Sequence, residues 1–442
     1  MLFRYLHLLA LVSVAVAAPT KTASLAVAQT STDSAAIASA AATALTRSPT
    51  SNVKGKAFNR LLTIYLENTA YENAIVDANC NALIEKGVLQ TNLYGAGAPS
   101  LPNYVAPGSG DIFGVNSDSF ILINKNVSTV VDLLDDKGVS WSTYNEGLPY
   151  TGFEGFGYSN PIEGNYARKH NLLAHFDSVR FDQNKISRLK NLTFFYHDLQ
   201  NQKLPQWIFV TPNLDHSGHD TDLQTSCSWT RSFVEPLLEN TYFNNETLIY
   251  ITWQANNEFH QARNHVAGIL LGSAVPQKDK GTKDDVFYTH YSDISTVEAN
   301  WDLHHLGRWD VGANVWKSVG ERTGDAPRPW NSRIAGAPLE EYYWNQSYGG
   351  VFSSTIYQTN TYVAPNLKLE RNGRTILPLV RHIWEDNCRA PTFEFPPGRY
   401  CLPDYYQDII EVPDAVHPPK GFEVDIPLNP PPPIMTPITI YS

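Results

Sequence analysis

The stretch QWIFVTPN, residues 206–213, runs directly into the polar stretch LDHSGHDTD, residues 214–222. Its first part has the length and apolar character of a buried strand. Four further runs are similar: RLLTIYLE (60–67), VSWSTYNE (139–146), TLIYITW (247–253) and HVAGILLG (265–272). Helical patterns lie between them, at residues 71–87, 128–138 and 228–240. Buried strands separated by helices predict an α/β fold with a mainly parallel central sheet and helices on both faces.

Polar residues follow three of these strands. Glu67 and Asn68 end the first strand, Asp215 and His219 follow the third, and the fourth runs into WQANNEFH (253–260). Ligands of parallel sheets gather at the carboxyl ends of the strands. We therefore expect Glu67, Asn68, Asp215 and His219 to meet at one edge of the sheet, together with Ser100.

Asp215 and His219 provide one carboxylate and one imidazole, which are common ligands of zinc and other transition metals. A third ligand could come from His265 or His290. The alternative is a polar loop in which the aspartate caps a helix, and Glu67 is then only a carboxylate at a strand end.

Ser100 lies in the Gly/Pro-rich stretch GAGAPSLPNYVAPGSGDIFGV, residues 95–115, with Asn103 three residues further on. A serine nucleophile needs an exposed, constrained position and activation by a base or a metal. This context is compatible with a nucleophile, and equally with an ordinary turn serine.

The chain divides into four segments by composition. Residues 1–18 are an apolar leader with Arg4 near its start and small residues at its end, typical of a removable signal peptide and too short to span a membrane. Residues 19–56 are a low-complexity Ala/Ser/Thr arm, either loosely ordered, a propeptide or in part a short helix. Residues 57–320 are the α/β domain, and residues 321–442 are an aromatic and Pro-rich extension that we expect to wrap around it.

The cysteines and the sequons agree with secretion. Four cysteines in an oxidising compartment predict two disulfides, and three pairings are formally possible. The short spacing favours Cys388 with Cys401, which leaves Cys80 with Cys227. N-linked glycans are expected at the surface on four asparagines, Asn126, Asn191, Asn245 and Asn345.

The charge balance narrows the possible partners. The net charge is −11 and charged residues make up only 17% of the chain. Such a chain has no basic footprint, which argues against nucleic acid and anionic membranes as partners. A secreted, extracellular globular protein is the class that remains.

Six stretches together resemble a known family. They are ENTAYEN (67–73), PSLPNYVAPGSGDIFGV (99–115), YARKHNLLAHFDSV (166–179), TPNLDHSGHDTD (211–222), NHVAGILLGSAVP (264–276) and FYTHYSDISTVE (287–298). They look like the successive blocks of the fungal acid phosphatases, within the phosphoesterase family that also contains the phosphatidylcholine-specific phospholipases C. The resemblance runs from about residue 58 to about residue 315 and implies an alkaline-phosphatase-like fold.

The resemblance also implies roles for individual residues. Ser100 would be the nucleophile that attacks phosphorus, and Asn103 a donor to the phosphoryl oxygens. Asn68, Lys169 and His170 would lie near the phosphate of a small phosphorylated substrate. A divalent metal ion of unknown identity would be held by four residues, Glu67, Asp215, His219 and His290, with His265 as the alternative to the last.

The chain departs from the family pattern at two places. Ala98 stands where related enzymes have His, and Gln254-Ala255 stand where the family has the acidic pair Asp-Glu. Losing two carboxylate ligands removes charge that would hold a metal, although Glu258 or His260 could reach back.

The expected function is hydrolysis of phosphate monoesters by a metal-assisted serine nucleophile. One alternative is a catalytically impaired protein of this fold that binds a phosphorylated or glycan ligand, which Gln254 and Ala255 favour. A second alternative is a phosphodiesterase like the phospholipase C relatives, although the block spacing fits the acid phosphatases better.

Overall fold

The computed structural model describes residues 32–97, 99–113, 115, 117–256, 264–329, 364–385 and 406–408. Its strands are β1 (Arg60–Leu66), β2 (Val88–Tyr94), β3 (Trp141–Asn145), β4 (Gly157–Asn160), β5 (Gly164–Ala167), β6 (Leu189–Asn191), β7 (Trp207–Thr211), β8 (Thr247–Trp253), β9 (His265–Leu271), β10 (Thr282–Asp284), β11 (Tyr288–Thr289), β12 (Glu370–Arg371) and β13 (Arg374–Thr375). Its α-helices are α1 (Ser34–Thr43), α2 (Tyr71–Ala74), α3 (Ala78–Ile84), α4 (Ser100–Ser109), α5 (Val130–Lys137), α6 (Asp177–Arg180), α7 (Gln183–Ile186), α8 (Thr193–Gln200), α9 (Leu223–Glu239), α10 (Thr241–Asn244), α11 (Tyr291–Trp301), α12 (Trp309–Gly312), α13 (Lys317–Thr323) and α14 (Pro378–Trp384).

A nine-stranded sheet forms the centre of the molecule. Its order is β10-β2-β9-β8-β1-β7-β3-β6, with β11 also pairing with β2. The central strand β1 pairs in parallel with both β7 and β8. Only β9 runs against its neighbours, β2 and β8. The predicted α/β fold with a mainly parallel sheet is confirmed.

The buried strands explain why the apolar runs predicted the sheet well. All seven residues of β8 are buried, as are six of the seven residues of β1. Strands covered on both faces need a nearly continuous apolar sequence rather than an alternating one. The strand β2 escaped prediction because Gln90, Thr91 and Asn92 interrupt its apolar run.

The predicted helix over residues 71–87 is two short helices, α2 and α3. Asp77 separates them, because its side chain accepts hydrogen bonds from the amides of Asn79 (2.9 Å) and Cys80 (3.1 Å) and so caps α3. A disulfide joins Cys80 in α3 to Cys227 in α9. Cys388 and Cys401 lie outside the described residues.

The described part of the N-terminal arm, residues 32–56, contains a helix and is bonded to the α/β domain. Its Ala-rich middle forms helix α1, as the helical alternative predicted. Beyond α1, Ser51 Oγ donates to Gln206 Oε1 (2.6 Å), and Gln206 Nε2 returns a bond to the carbonyl of Val53 (2.8 Å). These bonds fasten the arm beside the start of β7. The leader, residues 1–18, lies outside the described residues.

The described parts of the C-terminal extension contact the α/β domain. His305 N of the domain donates to the carbonyl of Thr375 (3.0 Å), and within the extension Arg374 forms a two-point ion pair with the buried carboxylate of Asp325, at 2.6 and 3.1 Å. Arg371 donates to the carbonyl of Val311 (2.8 Å). The hairpin β12–β13 is thereby held against the domain. Within the described part of the chain, every helix is too short or too polar to cross a membrane.

The sequons differ in their surroundings. Asn245 is exposed and Asn126 is half-buried. Asn191 is buried, and its amide nitrogen donates to the carbonyl of Leu148 (2.7 Å) and to Glu163 (2.5 Å). The expectation of a surface glycan at Asn191 is therefore wrong for the folded protein, because the nitrogen that would carry the sugar is enclosed. Asn345 lies outside the described residues.

Candidate functional site

The carboxyl ends of β1, β7 and β8 lie side by side, because β1 pairs in parallel with the other two. Glu67 follows β1, Gln254 follows β8, and the loop 212–222 follows β7. Backbone bonds join these ends: Gln254 N donates to Leu66 O (2.9 Å) and Glu67 N donates to Ser217 O (3.0 Å). The predicted meeting of polar strand ends at one edge is confirmed for these three segments.

Ser100 is the first residue of helix α4. Its Oγ donates a hydrogen bond to Glu67 Oε2 (3.0 Å). Tyr104, one turn further along the same helix face, donates to the other oxygen, Glu67 Oε1 (3.1 Å). A helix N-terminus carries partial positive charge, which favours an anion at this point, although Leu101 N already donates to Asp118 Oδ1 (2.9 Å) and Pro102 has no N–H. Tyr104 was missed from the sequence, although its spacing from Ser100 places the two on one face.

Asn103 organises the turn that precedes Ser100. Its Oδ1 accepts from the amides of Ala96 (2.8 Å) and Gly97 (3.0 Å), and its Nδ2 donates to the carbonyls of Gly97 and Pro99. The same Nδ2 also donates to Gln254 Oε1 (2.8 Å). The predicted role as a donor to phosphoryl oxygens does not fit, because the fully buried amide is committed to protein acceptors.

Glu67 is a fully buried carboxylate with a histidine beside it. His170 Nε2 lies 2.8 Å from Glu67 Oε1. Burial alone would raise the pKa of Glu67, but the neighbouring cations, His170 above all, hold the pKa well below its ordinary value. Burial lowers the pKa of His170, against the pull of Glu67. Glu67 is therefore ionised under acidic conditions that would protonate an ordinary glutamate.

Lys169 and His219 form the solvent-facing side of the site. Lys169 Nζ lies 2.8 Å from Asp118 Oδ2 and 3.0 Å from His219 Nε2. His219 Nδ1 lies 2.6 Å from Asp220 Oδ1. A carboxylate beside Nδ1 places the ring proton there, which leaves the Nε2 lone pair directed towards the site. Asp118 and Asp220 were not predicted as site residues, although Asp220 lies in the family block TPNLDHSGHDTD (211–222).

Gln254 and Ala255 occupy the position of the family's acidic pair. The side chain of Gln254 enters the site, with Nε2 at 3.4 Å from both Glu67 Oε2 and Ser100 Oγ. Ala255 is fully buried and offers no side-chain ligand. A neutral amide donor thus lies where the resemblance implied a carboxylate.

Three of the predicted metal ligands lie elsewhere. Asp215 lines a neighbouring cavity of about 340 Å³ together with Glu146. His290 is buried with both ring nitrogens occupied, Nδ1 by Tyr65 OH (3.0 Å) and Nε2 by the carbonyl of Gln254 (2.6 Å). His265, the alternative ligand, has its Nε2 on the carbonyl of Thr91 (2.9 Å). The polar loop after β7 therefore places the side chain of His219 in the site and that of Asp215 outside it.

A different set of residues could hold a metal ion. Ligand atoms of Glu67, His170 and His219 all lie within 4.8 Å of one another. His170 Nε2 is buried and makes no well-aligned hydrogen bond within the described structure, as expected of a nitrogen directed at an ion. One carboxylate and two imidazoles suit zinc and similar transition ions. The residues present fit a divalent metal, with His170 in place of Asp215 and His290.

Asn68 follows Glu67 directly and is half-buried. A serine at a helix N-terminus, a buried carboxylate that accepts its hydrogen bond and a lysine close by are groups that a site for anionic esters can use. On an α/β sheet of this type, these groups are those expected of a phosphoesterase.

Comparison with known proteins supports that class. The model of the phosphoesterase family matches residues 67–304, and the chain belongs to this family. It is 43% identical over 353 residues to an acid phosphatase of Aspergillus fumigatus, covering 79% of this chain and 77% of that protein. It is 42% identical over 340 residues to a probable acid phosphatase of Kluyveromyces lactis, covering 76% and 78%.

Among solved structures, the chain is similar to a protein in the alkaline phosphatase superfamily from Vibrio parahaemolyticus. That match has 12% identity and a TM-score of 0.37, and it covers 59% of this chain and 72% of that chain.

Proposed function

We propose that this protein hydrolyses phosphate monoesters through a phosphoserine formed at Ser100. The observation that carries the proposal is the hydrogen bond from Ser100 Oγ to Glu67 Oε2, at 3.0 Å. A hydroxyl becomes a useful nucleophile when an adjacent base accepts its proton. The acid phosphatases among the relatives, at 42–43% identity, support the same reaction class.

The first step joins Ser100 Oγ to phosphorus while the bond from phosphorus to the substrate's alcohol oxygen breaks. Glu67 takes the serine proton, and the departing oxygen takes a proton from the site or from water. Because its pKa lies below the ordinary range, Glu67 stays ionised in acid and keeps its hydrogen bond with Ser100 there, although the same shift makes it a weaker base. Glu67 then gives its proton to the departing alcohol or to water. In the second step water attacks phosphorus and the bond from phosphorus to Ser100 Oγ breaks. Glu67 accepts a proton from the water and returns it to Ser100 Oγ, and phosphate leaves.

Charge on the equatorial phosphoryl oxygens needs positive partners. Lys169 supplies a cation, and the N-terminus of α4 supplies a partial positive charge. The side-chain amide of Gln254 adds a neutral donor beside Ser100. In the family, the acidic pair would hold a metal ion that supplies positive charge. Here Lys169 and the N-terminus of α4 supply part of that positive charge.

A divalent ion would be held by Glu67, His170 and His219. When bound, such an ion supplies positive charge that activates a hydroxyl nucleophile and stabilises phosphoryl oxygens. We also propose that the protein is secreted, carries N-linked glycans at Asn245 and Asn126, and acts on small phosphorylated substrates.

The test uses the purified mature protein with p-nitrophenyl phosphate and a parallel measurement of metal content. Turnover should be lost in Ser100→Ala and kept in the control Ser109→Ala, which changes a buried serine at the other end of the same helix. Acid quenching during turnover should trap phosphate on the peptide that contains Ser100.

Wild-type protein without turnover would overturn the proposal. If that protein still bound inorganic phosphate, the ligand-binding alternative would take its place. Equal loss in the two serine variants would instead show that damage to α4, not a missing nucleophile, explains the result.

A further inference from the structure

A buried hydrogen-bonded chain runs beneath Gln254, on the side away from Ser100. Asp293 Oδ2 lies 2.7 Å from Tyr65 OH, and Tyr65 OH lies 3.0 Å from His290 Nδ1. His290 Nε2 then meets the backbone carbonyl of Gln254 at 2.6 Å. All three side chains of this relay are buried, and Tyr65 and His290 are fully so.

The far end of the relay is a residue of the site. The backbone of Gln254 is held on both sides, because its N–H donates to Leu66 O (2.9 Å) while its carbonyl accepts from His290. Its side chain is held by Asn103 and reaches Ser100. Any shift of this backbone would move the amide that lies beside the nucleophile.

Donors and acceptors in the relay fit two proton arrangements. The carbonyl of Gln254 can only accept, so His290 Nε2 carries a proton. In the neutral arrangement, Tyr65 donates to a bare Nδ1 and a protonated Asp293 donates to Tyr65. In the charged arrangement, the imidazolium of His290 donates to Tyr65, and Tyr65 donates to an ionised Asp293. Both contain the same number of protons.

Burial selects the neutral arrangement. Asp293 Oδ1 has no hydrogen-bond partner within the described structure, which is far more costly for an ionised carboxylate than for the carbonyl oxygen of a carboxylic acid. Burial raises the pKa of Asp293 well above its ordinary value. Burial also lowers the pKa of His290 to about 4.

We infer that Asp293, Tyr65 and His290 are positioning residues, a neutral relay that fixes the backbone of Gln254 and so aims its amide at Ser100. Only the expected effect of the relay on kcat rests on the proposed function. The sequence predicted His290 as a metal ligand. In this view His290 instead acts through the backbone carbonyl of Gln254 and does not contact the reacting atoms.

The variants Tyr65→Phe and Asp293→Asn test the relay. Tyr65→Phe breaks it and should lower kcat by about 10- to 100-fold with little change in KM, since a small misplacement of a site group costs about that much. Asp293→Asn keeps a neutral donor towards Tyr65 and should leave kcat near the wild-type value.

The matched control is Tyr144→Phe. Tyr144 is an equally buried tyrosine whose hydroxyl donates to a carboxylate, Asp198 Oδ2, at 2.8 Å, away from Ser100. Its loss should lower the melting temperature much as Tyr65→Phe does, but should not change kcat. Unchanged kcat in Tyr65→Phe would overturn the positioning role. If Asp293→Asn loses as much activity as Tyr65→Phe, Asp293 is ionised and the neutral relay is wrong.

A second readout does not depend on activity. In protein labelled with 15N-histidine, the signals that disappear in His290→Gln belong to His290, and they should show one protonated and one bare ring nitrogen at pH 7. Two protonated nitrogens would overturn the neutral relay. If wild-type protein has no turnover while His290 shows this neutral form, the proposed function fails and the relay stands.

Discussion

Ser100 Oγ donates to Glu67 Oε2 across 3.0 Å, although the two residues come from different elements, the start of α4 and the end of β1. Glu67 has no freedom to turn away, because Tyr104 and His170 approach its other oxygen. A serine hydroxyl and a carboxylate fixed in this way are ready for proton transfer, and this pair is the simplest part of the site to test.

Replacing Glu67 by Gln should lower kcat by about 10²- to 10⁴-fold, the usual contribution of a general base. The amide keeps the size of the side chain but accepts no proton. The control is Glu72→Gln, which changes an exposed carboxylate on nearby α2. The measurement is steady-state kinetics on p-nitrophenyl phosphate. Equal activity of Glu67→Gln and Glu72→Gln would exclude Glu67 as the base.

Restoring the family's acidic pair, Gln254→Asp with Ala255→Glu, should raise metal affinity and turnover together. Without metal, the new carboxylate next to Glu67 should lower the melting temperature, since Gln254 Nε2 lies only 3.4 Å from Glu67 Oε2. Isothermal titration with zinc and kinetics in the same buffer measure both effects.

The gain in turnover should vanish when Ser100→Ala is added to that variant. If wild-type protein is already fast and the two substitutions change nothing or slow it, the chain has compensated for the lost ligands. In that case the idea of an impaired enzyme should be dropped.

The ion pair between Asp325 and Arg374 should make stability depend on acidity. Burial would raise the pKa of Asp325, but Arg374 outweighs it and holds the pKa below its ordinary value. A depressed carboxyl pKa stabilises the fold above the unfolded value, about 3.9, and this stabilisation is lost as the pH falls through the folded value.

Melting temperatures of wild type and Asp325→Asn should therefore differ most near neutral pH, begin to approach each other below about pH 4 and converge once the pH lies below the folded pKa of Asp325. A difference that stays constant from pH 7 to pH 3 would rule out this role for the Asp325 charge.

Peptide mapping without reduction should find Cys80 linked to Cys227, and Cys388 linked to Cys401. Replacing Cys80 and Cys227 together by Ser should lower the free energy of unfolding by about 2–5 kcal/mol, because the bond spans 147 residues and long loops lose the most entropy when closed. A peptide joining Cys388 to Cys80 would contradict both pairings.

Glycopeptide mass spectrometry of the secreted protein should find sugar at Asn245 and none at Asn191. The first is exposed, and the second is buried with its amide nitrogen bonded to Leu148 and Glu163. Full occupancy at Asn191 would mean that the loop around Glu163 differs in the mature protein.

The apolar strands could be predicted from the sequence because burial on both faces leaves a continuous signal, as in TLIYITW. The meeting of Glu67 with the residues after β7 followed from the rule for parallel sheets. Ser100 was predicted to meet Glu67 at this edge, and the structure brings the two together. Their direct hydrogen bond was not predicted, because local sequence does not specify how a loop folds back.

The metal ligands show where prediction from the sequence stops. Asp215 and His219 are four residues apart in a polar loop, yet Gly218 has a positive φ of 88° and the loop turns their side chains to different sides. His290 has the residue type of a ligand, but its neighbour Tyr65 and the carbonyl of Gln254 use both ring nitrogens. Which side chains enter the site, and which ring nitrogens stay available to a metal, depends on contacts between residues far apart in the chain.

The central position of β1 has a consequence for how the protein folds. The partners of this strand begin at Trp207 and Thr247, so an apolar strand near the N-terminus is synthesised long before anything can pair with it. At about 5–20 residues per second during synthesis, the wait lasts on the order of ten seconds. Folding dominated by such distant pairings is slow, and an unpaired apolar strand aggregates easily. We therefore expect the yield of refolding from denaturant to fall steeply with protein concentration, and chaperones to be needed while the chain is made.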